Sequence, residues 1–202
     1  MKIFVAVLLI ILVGLAFFVW SGRGGLISRS QGVDEKWSQV QNAYQRRSDL
    51  VPNLVASVDN FMSRQQKTLT DVIGMRQRVI DLKGSMDEAL KTQNPALIDS
   101  ISNQLSRQMN SFINVVVEQY PDIKGDQLYS DLLVQLEGTE NRITQERRVF
   151  NEVVKEYNVY RQTGISPLIA GAIFGFPYQR DFFKATDAAQ TAPDVREVFQ
   201  NP

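Results

Sequence analysis

The sequence predicts an all-α protein: an N-terminal single transmembrane helix followed by an antiparallel bundle of long helices. Three observations carry this. Ile3–Trp20 is an apolar run broken by no charge. Three longer stretches repeat apolar residues at alternating steps of three and four, the spacing of one helix face. Stop and start signals separate them: Asn94-Pro95, Pro121 to Gly125 followed by Asp126, and Gly164. The expected organisation is an anchor over 1–22, a linker over 23–32, a helical bundle over 33–185 and a disordered tail over 186–202.

The anchor follows from length. About 18 residues at 1.5 Å each just cross a hydrocarbon core of roughly 30 Å. Trp20 ends the run at the depth that favours indole. Lys2 before an apolar run also fits a cleaved signal peptide. Against that, the run exceeds a usual signal core, and Val19-Trp20-Ser21-Gly22-Arg23 offers no small-x-small cleavage site. The run is therefore expected to stay attached as a single-pass anchor. Arg23, Arg29 and Lys36 against Lys2 lean toward a cytoplasmic bundle, although a long domain can be translocated regardless of such a bias. Ser21 to Gly32 is rich in Gly and Ser and reads as a flexible linker or a frayed turn. Its arginines suit lipid headgroups or simple solubility.

The first long helix starts near Val33. Val33, Trp37, Val40, Tyr44, Arg47 and Val51 form a heptad-like, coiled-coil seam. Pro52 removes a backbone donor and crowds the carbonyl four residues back, so the helix must kink or end there. Val55, Val58, Met62, Gln65, Leu69, Val72, Arg76 and Val79 keep the same phase. This favours one kinked helix ending near Lys83-Gly84. Ser85 to Thr92 suits a loop or an extension. Asn94 and Pro95 then start a helix as cap and first residue. It carries Leu97, Ile98, Ile101, Leu105, Met109, Phe112, Val116 and Tyr120 and stops at Pro121. Asp126 caps the last long helix, with Leu128, Leu132, Leu136, Ile143, Phe150, Val154 and Tyr157, which runs to about Gln162. Ile165–Phe183 is too apolar for a free linker and too broken for one helix. It suits a short helix and an extended piece, packed on the bundle end or on a neighbouring subunit.

Composition removes several chemistries. There is neither cysteine nor histidine. Thiolate nucleophiles, disulfides, Ser-His or Cys-His catalysis and zinc sites are therefore not expected. The 22 acidic and 22 basic residues balance, so no global charge draws the chain to nucleic acid. No cofactor is implied.

Five ordered pieces carry a family resemblance: Arg46-Arg47-Ser48-Asp49-Leu50-Val51-Pro52-Asn53-Leu54-Val55 preceded by Trp37; Tyr120-Pro121-Asp122-Ile123-Lys124; Thr139-Glu140-Asn141-Arg142-Ile143; Phe150-Asn151 with Tyr157-Asn158; and Pro167-Leu168-Ile169-Ala170 through Gly175-Phe176 to Phe182-Phe183. Together they resemble the LemA family. The resemblance implies a helical bundle on one N-terminal membrane helix, without an agreed molecular activity. It also implies association with membrane proteases or envelope-stress functions. Two places depart from the pattern: Lys184 stands where an acidic residue is usual, and Val72 to Arg76 keeps only part of it.

The structural signature is then Trp37, Arg46, Arg47, Asp49, Pro52, Asn53, Tyr120, Pro121, Glu140, Arg142, Asn151, Tyr157 and Asn158, with no catalytic, cofactor or metal residue assigned. Arg46, Arg47 and Asp49 suit either a ligand phosphate or carboxylate or, better, an ion-pair cluster fixing the Pro52 kink. Arg47, Glu140 and Arg147 share the seam phase and can pair across helices. Asn151 and Asn158 lie seven residues apart on one face, placed to hydrogen-bond the irregular C-terminal segment or to set helix register. Asp122, Asp126 and Asp131 lack calcium-loop spacing and read as turn and cap residues.

The expected function is a non-enzymatic, membrane-anchored scaffold. Its partners are the lipid bilayer, further copies of itself in a homo-oligomer that uses Ile165–Phe183, and membrane proteins; nucleic acid is not among them. The alternatives are a carboxylate-dependent hydrolase at the membrane and an oligomeric, pore-like or bilayer-remodelling assembly.

Overall fold

The computed structural model describes residues 1–65 and 70–184. The expected tail over 186–202 lies outside the described residues. The described secondary structure is all helical. α1 spans Lys2–Arg64, α2 Thr70–Leu90, α3 Pro95–Gln119, a 3-10 turn Pro121–Gly125, α4 Gln127–Thr163 and α5 Ile165–Phe174.

Two sequence expectations are corrected in α1. Residues 23–32 are helix, not a linker, and Leu26 is fully buried. Gly22 and Gly25 are tolerated there because neighbours pack too close for a side chain. A Cβ on Gly22 would lie 2.6 Å from the Ser166 carbonyl carbon, and one on Gly25 would lie 2.5 Å from the Tyr160 ring. The helix also runs through Pro52, as the continuous seam predicts, but it stops at Arg64 rather than near Lys83-Gly84. Residues 70–90 form a separate helix returning along it, with Gly84 in its interior and Ser85 to Leu90 as its last turns. The pairs Asp59–Arg76 (2.8 Å), Ser48–Asp87 (2.7 Å) and Gln41–Leu90 fall on α1 as they rise on α2. Seam phase could not reveal this reversal, because both helices turn the same kind of face to one core.

The later boundaries follow local chemistry. Asn94 accepts from the Leu97 N–H at 3.1 Å, and Asp126 accepts from the Tyr129 N–H at 3.1 Å. Each oxygen satisfies a donor that the first helical turn leaves free. Tyr120 ends α3, Pro121 opens the 3-10 turn, and Gly164 ends α4. At the far end of α5, Gly175 takes φ 74°, the left-handed cap conformation that an L side chain resists.

Among the described residues, four long helices, not three, thus pack up-down-up-down, with α5 as a short addition. Their apolar faces meet in two clusters. The one nearer the N-terminal apolar run holds Leu26, Val33, Trp37, Val40, Tyr44, Met86, Ile98, Ile143, Phe150, Val154, Tyr157, Ala170 and Phe183. The distal one holds Val51 to Met62 of α1, Val72 to Val79 of α2, Leu105 to Val116 of α3, and Tyr120, Ile123, Tyr129, Leu132 and Leu136. Leu97 and Leu128, placed on the seams by periodicity, are exposed. The apolar run at the start of α1 leaves the bundle: residues 1–18 are exposed throughout. This is the one described helix long and apolar enough to cross a membrane by length and composition, and it enters the bundle as the same helix.

Candidate functional site

A polar layer separates the two apolar cores, and all four bundle helices supply it. α1 contributes Arg47 and Ser48, α2 Asp87, α3 Ser102 and Ser106, and α4 Glu140. Arg47 is only 3% exposed. Its guanidinium donates to the Ser102 hydroxyl at 3.0 Å and to the Ser106 hydroxyl at 2.7 Å, and it pairs with Glu140 at 2.6 Å. Burial lowers the Arg47 pKa, and the Glu140 carboxylate opposes that effect. Ser48 donates to Asp87, which Lys83 also holds. Burial pushes Asp87 upward, but the hydrogen bonds from Lys83 and Ser48 outweigh it and hold the carboxyl below its usual range.

One turn toward the N-terminal apolar run, Asp99 pairs with Arg147 at 2.9 Å. Burial raises the Asp99 pKa despite that guanidinium. Burial likewise pushes the Tyr44 hydroxyl up to about 12, with the Arg147 charge working the other way. Arg47 is met by two serine hydroxyls and the Glu140 carboxylate, contributed by two other helices, an arrangement that depends on helix register. A misregistered bundle would bury Arg47 against apolar residues, at a cost of several kcal/mol.

The second constellation holds the C-terminal segment. Asn151 donates to the Phe183 carbonyl at 2.8 Å and accepts from the Phe183 N–H at 2.9 Å. Asn158 repeats the arrangement on Arg180, at 3.0 and 2.8 Å. The Tyr157 hydroxyl donates to the Pro177 carbonyl at 2.7 Å. Each asparagine amide thus imitates a neighbouring strand for one residue of extended chain. The Phe183 side chain completes the clasp. It stacks on Trp37 with centroids 5.9 Å apart and planes at 12°, meets Phe150 edge-on at 5.5 Å, and lies under the Arg147 guanidinium at 5.0 Å.

The predicted signature residues divide accordingly. Arg47 and Glu140 meet in the polar layer, and Arg147 pairs with Asp99 instead of joining them. Trp37, Asn151, Tyr157 and Asn158 meet in the clasp. Tyr120 is buried against Phe61 at the distal turn, where Pro121 starts the 3-10 helix. Arg46 and Asp49 do not join Arg47, which corrects the expected cluster. Asp49 accepts from Gln45 on the solvent side, and Arg46 lines an outer groove with Arg142. The reason is angular: neighbours on a helix lie about 100° apart, so only one of the twin arginines can face the core. Arg142 pairs along its own helix with Glu146 at 2.8 Å, Asn53 is exposed and Pro52 half-buried. Of the loose acidic group, Asp126 caps α4 and also pairs with Arg64 at 2.5 Å, and Asp131 accepts from Gln127.

Sequence reasoning missed Ser102, Ser106, Asp87 and Asp99. A usable signal existed for the serines: they stand four apart among Ile98, Ile101, Leu105 and Met109, on the apolar face of α3.

Comparison with known proteins agrees with the family resemblance. A model of the LemA family matches residues 36–196. Protein LemA of Metamycoplasma hominis is 27% identical over 160 residues, covering 78% of this chain and 68% of its own length. With the family match spanning most of the bundle, the chain belongs to the LemA family.

Proposed function

We propose that this protein is a non-enzymatic scaffold that holds a rigid helical bundle at a membrane and there associates with itself and with membrane proteins. The observation that carries the reading is α1. Its 63 residues join an exposed apolar run to the centre of the bundle without a break. From Trp20 to Arg64 such a helix reaches roughly 65 Å, so the distal core stands well clear of the bilayer. The side-chain chemistry supports a structural role. The carboxylates with some burial are held by cations: Asp87 by Lys83, Asp99 by Arg147, Asp126 by Arg64 and Glu146 by Arg142. The asparagines that a binding site would use are engaged with backbone.

Confinement by an anchor favours association, because it orients the chains alike and raises their effective concentration. The test is the native mass of the full chain in lipid nanodiscs, with membrane proteins recovered by crosslinking before extraction. The expected result is a closed oligomer, a complex with a second membrane protein, or both. A single-copy mass with no crosslinked partner overturns the reading.

A further inference from the structure

The exposed apolar surface nearest the anchor is on α5. Ile165 is 70% exposed and Ile173 63%, with Leu168 and Ile169 also open. Residues 165, 169 and 173 step by four and 168 lies beside them, so they share one face. The opposite face is packed: Pro167, Ala170 and Gly171 are buried.

The position of α5 along α1 selects what covers this face. Ser166 donates to the Phe18 carbonyl at 2.5 Å, and its backbone lies against Gly22. Arg23 sits over the rings of Trp20 at 5.4 Å and Phe174 at 5.0 Å. The start of α5 is therefore level with Phe18 to Gly22, where the apolar run of α1 ends. Residues 162–179 contain no Asp, Glu, Lys or Arg. The flanking cations point inward: Arg161 donates to the Leu168 carbonyl and Arg180 to the Ser30 hydroxyl. The outward face is thus apolar and free of charge, and Arg23 stands beside it just past the end of the apolar run.

We infer that α5 is a second membrane contact: its Ile165, Leu168, Ile169 and Ile173 face lies in the bilayer interface beside the point where α1 emerges. This rests on α1 being a membrane anchor. A helix of ten residues offers on the order of a few hundred Å², below the roughly 800 Å² per partner of a stable protein interface. It also lacks the polar rim such interfaces carry. An interfacial helix needs neither, since lipid covers its apolar face to a depth of about 5–10 Å. Two contacts fix the tilt of the bundle, whereas one helix leaves it free to rotate and lean.

The absence of native cysteine makes the test direct. Single substitutions Leu9→Cys, Ile165→Cys, Ile173→Cys and Val134→Cys in the full chain are labelled with an environment-sensitive fluorophore. The chains are reconstituted into phosphatidylcholine–phosphatidylglycerol vesicles containing a shallow nitroxide lipid. Leu9→Cys reports the anchor, and Val134→Cys reports the exposed distal bundle. The expected result is quenching at 165 and 173 at least about three-fold stronger than at 134, as for an interfacial helix. Quenching at 165 and 173 no stronger than at 134 overturns the inference while Leu9 remains quenched. If those two probes are then shielded from aqueous iodide as well, a second copy or another protein covers the face instead. No quenching at Leu9 overturns the anchor reading itself.

Discussion

A guanidinium 3% exposed requires acceptors already in place, because an unanswered buried charge costs several kcal/mol. Arg47 meets two hydroxyls and one carboxylate, and the carboxylate is the half-exposed partner: the Glu140 side chain is 46% accessible. The pair is therefore asymmetric. Glu140→Ala leaves the buried cation with hydroxyls only, and it is expected to destabilise by about 2 kcal/mol, below the range for fully buried pairs because water partly replaces the carboxylate. The double variant Arg47→Met with Glu140→Ala removes the charge as well, and it should cost less than Glu140→Ala alone. Urea unfolding of both variants in detergent checks the order; a double variant less stable than the single one would show that the pair contributes net stability. Seam phase made Arg47 and Glu140 legible in the sequence. It could not exclude Arg46 and Asp49 from the same site, because a motif written in one dimension does not show which residue the helix turns inward.

At the scale of elements, the clasp works because two spacings coincide. Asn151 and Asn158 are two helical turns apart, about 10.5 Å along α4. Arg180 and Phe183 are three extended residues apart, about 10 Å. Each asparagine can thus present its amide to one peptide group of an extended chain running beside the helix. Asn151→Ala leaves the Phe183 N–H and C=O without these partners and should cost about 2 kcal/mol, near 1 per hydrogen bond. Pairing it with Asn158→Ala should free the segment, read as fast tryptic cleavage at Arg180 with α1 to α4 intact; unchanged cleavage would mean that Phe183 alone holds it. In α2 the hydrogen-bonded Asp87 adds a pH dependence. Its folded pKa lies below the usual 3.8, so its stabilisation is complete well above that value and is lost as pH falls through the folded one. Asp87→Asn should flatten the acid limb of a plot of thermal midpoint against pH. The caps at Asn94 and Asp126 and the stops at Pro121 and Gly164 were legible because each acts within one turn of itself. The reversal between α1 and α2 was not. It depends on which faces meet across the core, and both helices carry faces of the same phase.

At the scale of the whole molecule, the decisive stretch is 21–32. Its Gly and Ser content suggests a hinge, yet Gly22 and Gly25 are there for close packing against Ser166 and Tyr160. Small residues let helix backbones approach, and the lost side-chain contacts are replaced by backbone and ring contacts. Arg29 lies over the Tyr160 ring at 4.0 Å and so ties the same stretch to the end of α4. The N-terminal apolar run and the bundle should therefore move as one body. Spin labels at Leu12→Cys and Val159→Cys, both exposed sites, measure this directly. Residue 159 is level with about residue 24 of α1, so the axial offset is roughly 20 Å for a straight helix. Double electron–electron resonance in nanodiscs should give one narrow distance distribution. Inserting a Gly-Ser-Gly-Ser segment between Gly24 and Gly25 should broaden it, because a flexible linker uncouples the two ends. A broad distribution in the unmodified chain would restore the hinge that composition suggests and would remove the strut on which the scaffold reading stands. Gly22→Val provides the finer test. Its side chain cannot fit against the Ser166 backbone, so α5 must shift while α1 keeps its course. The distance between residues 12 and 159 should then stay narrow, and the lipid quenching at Ile173 should fall.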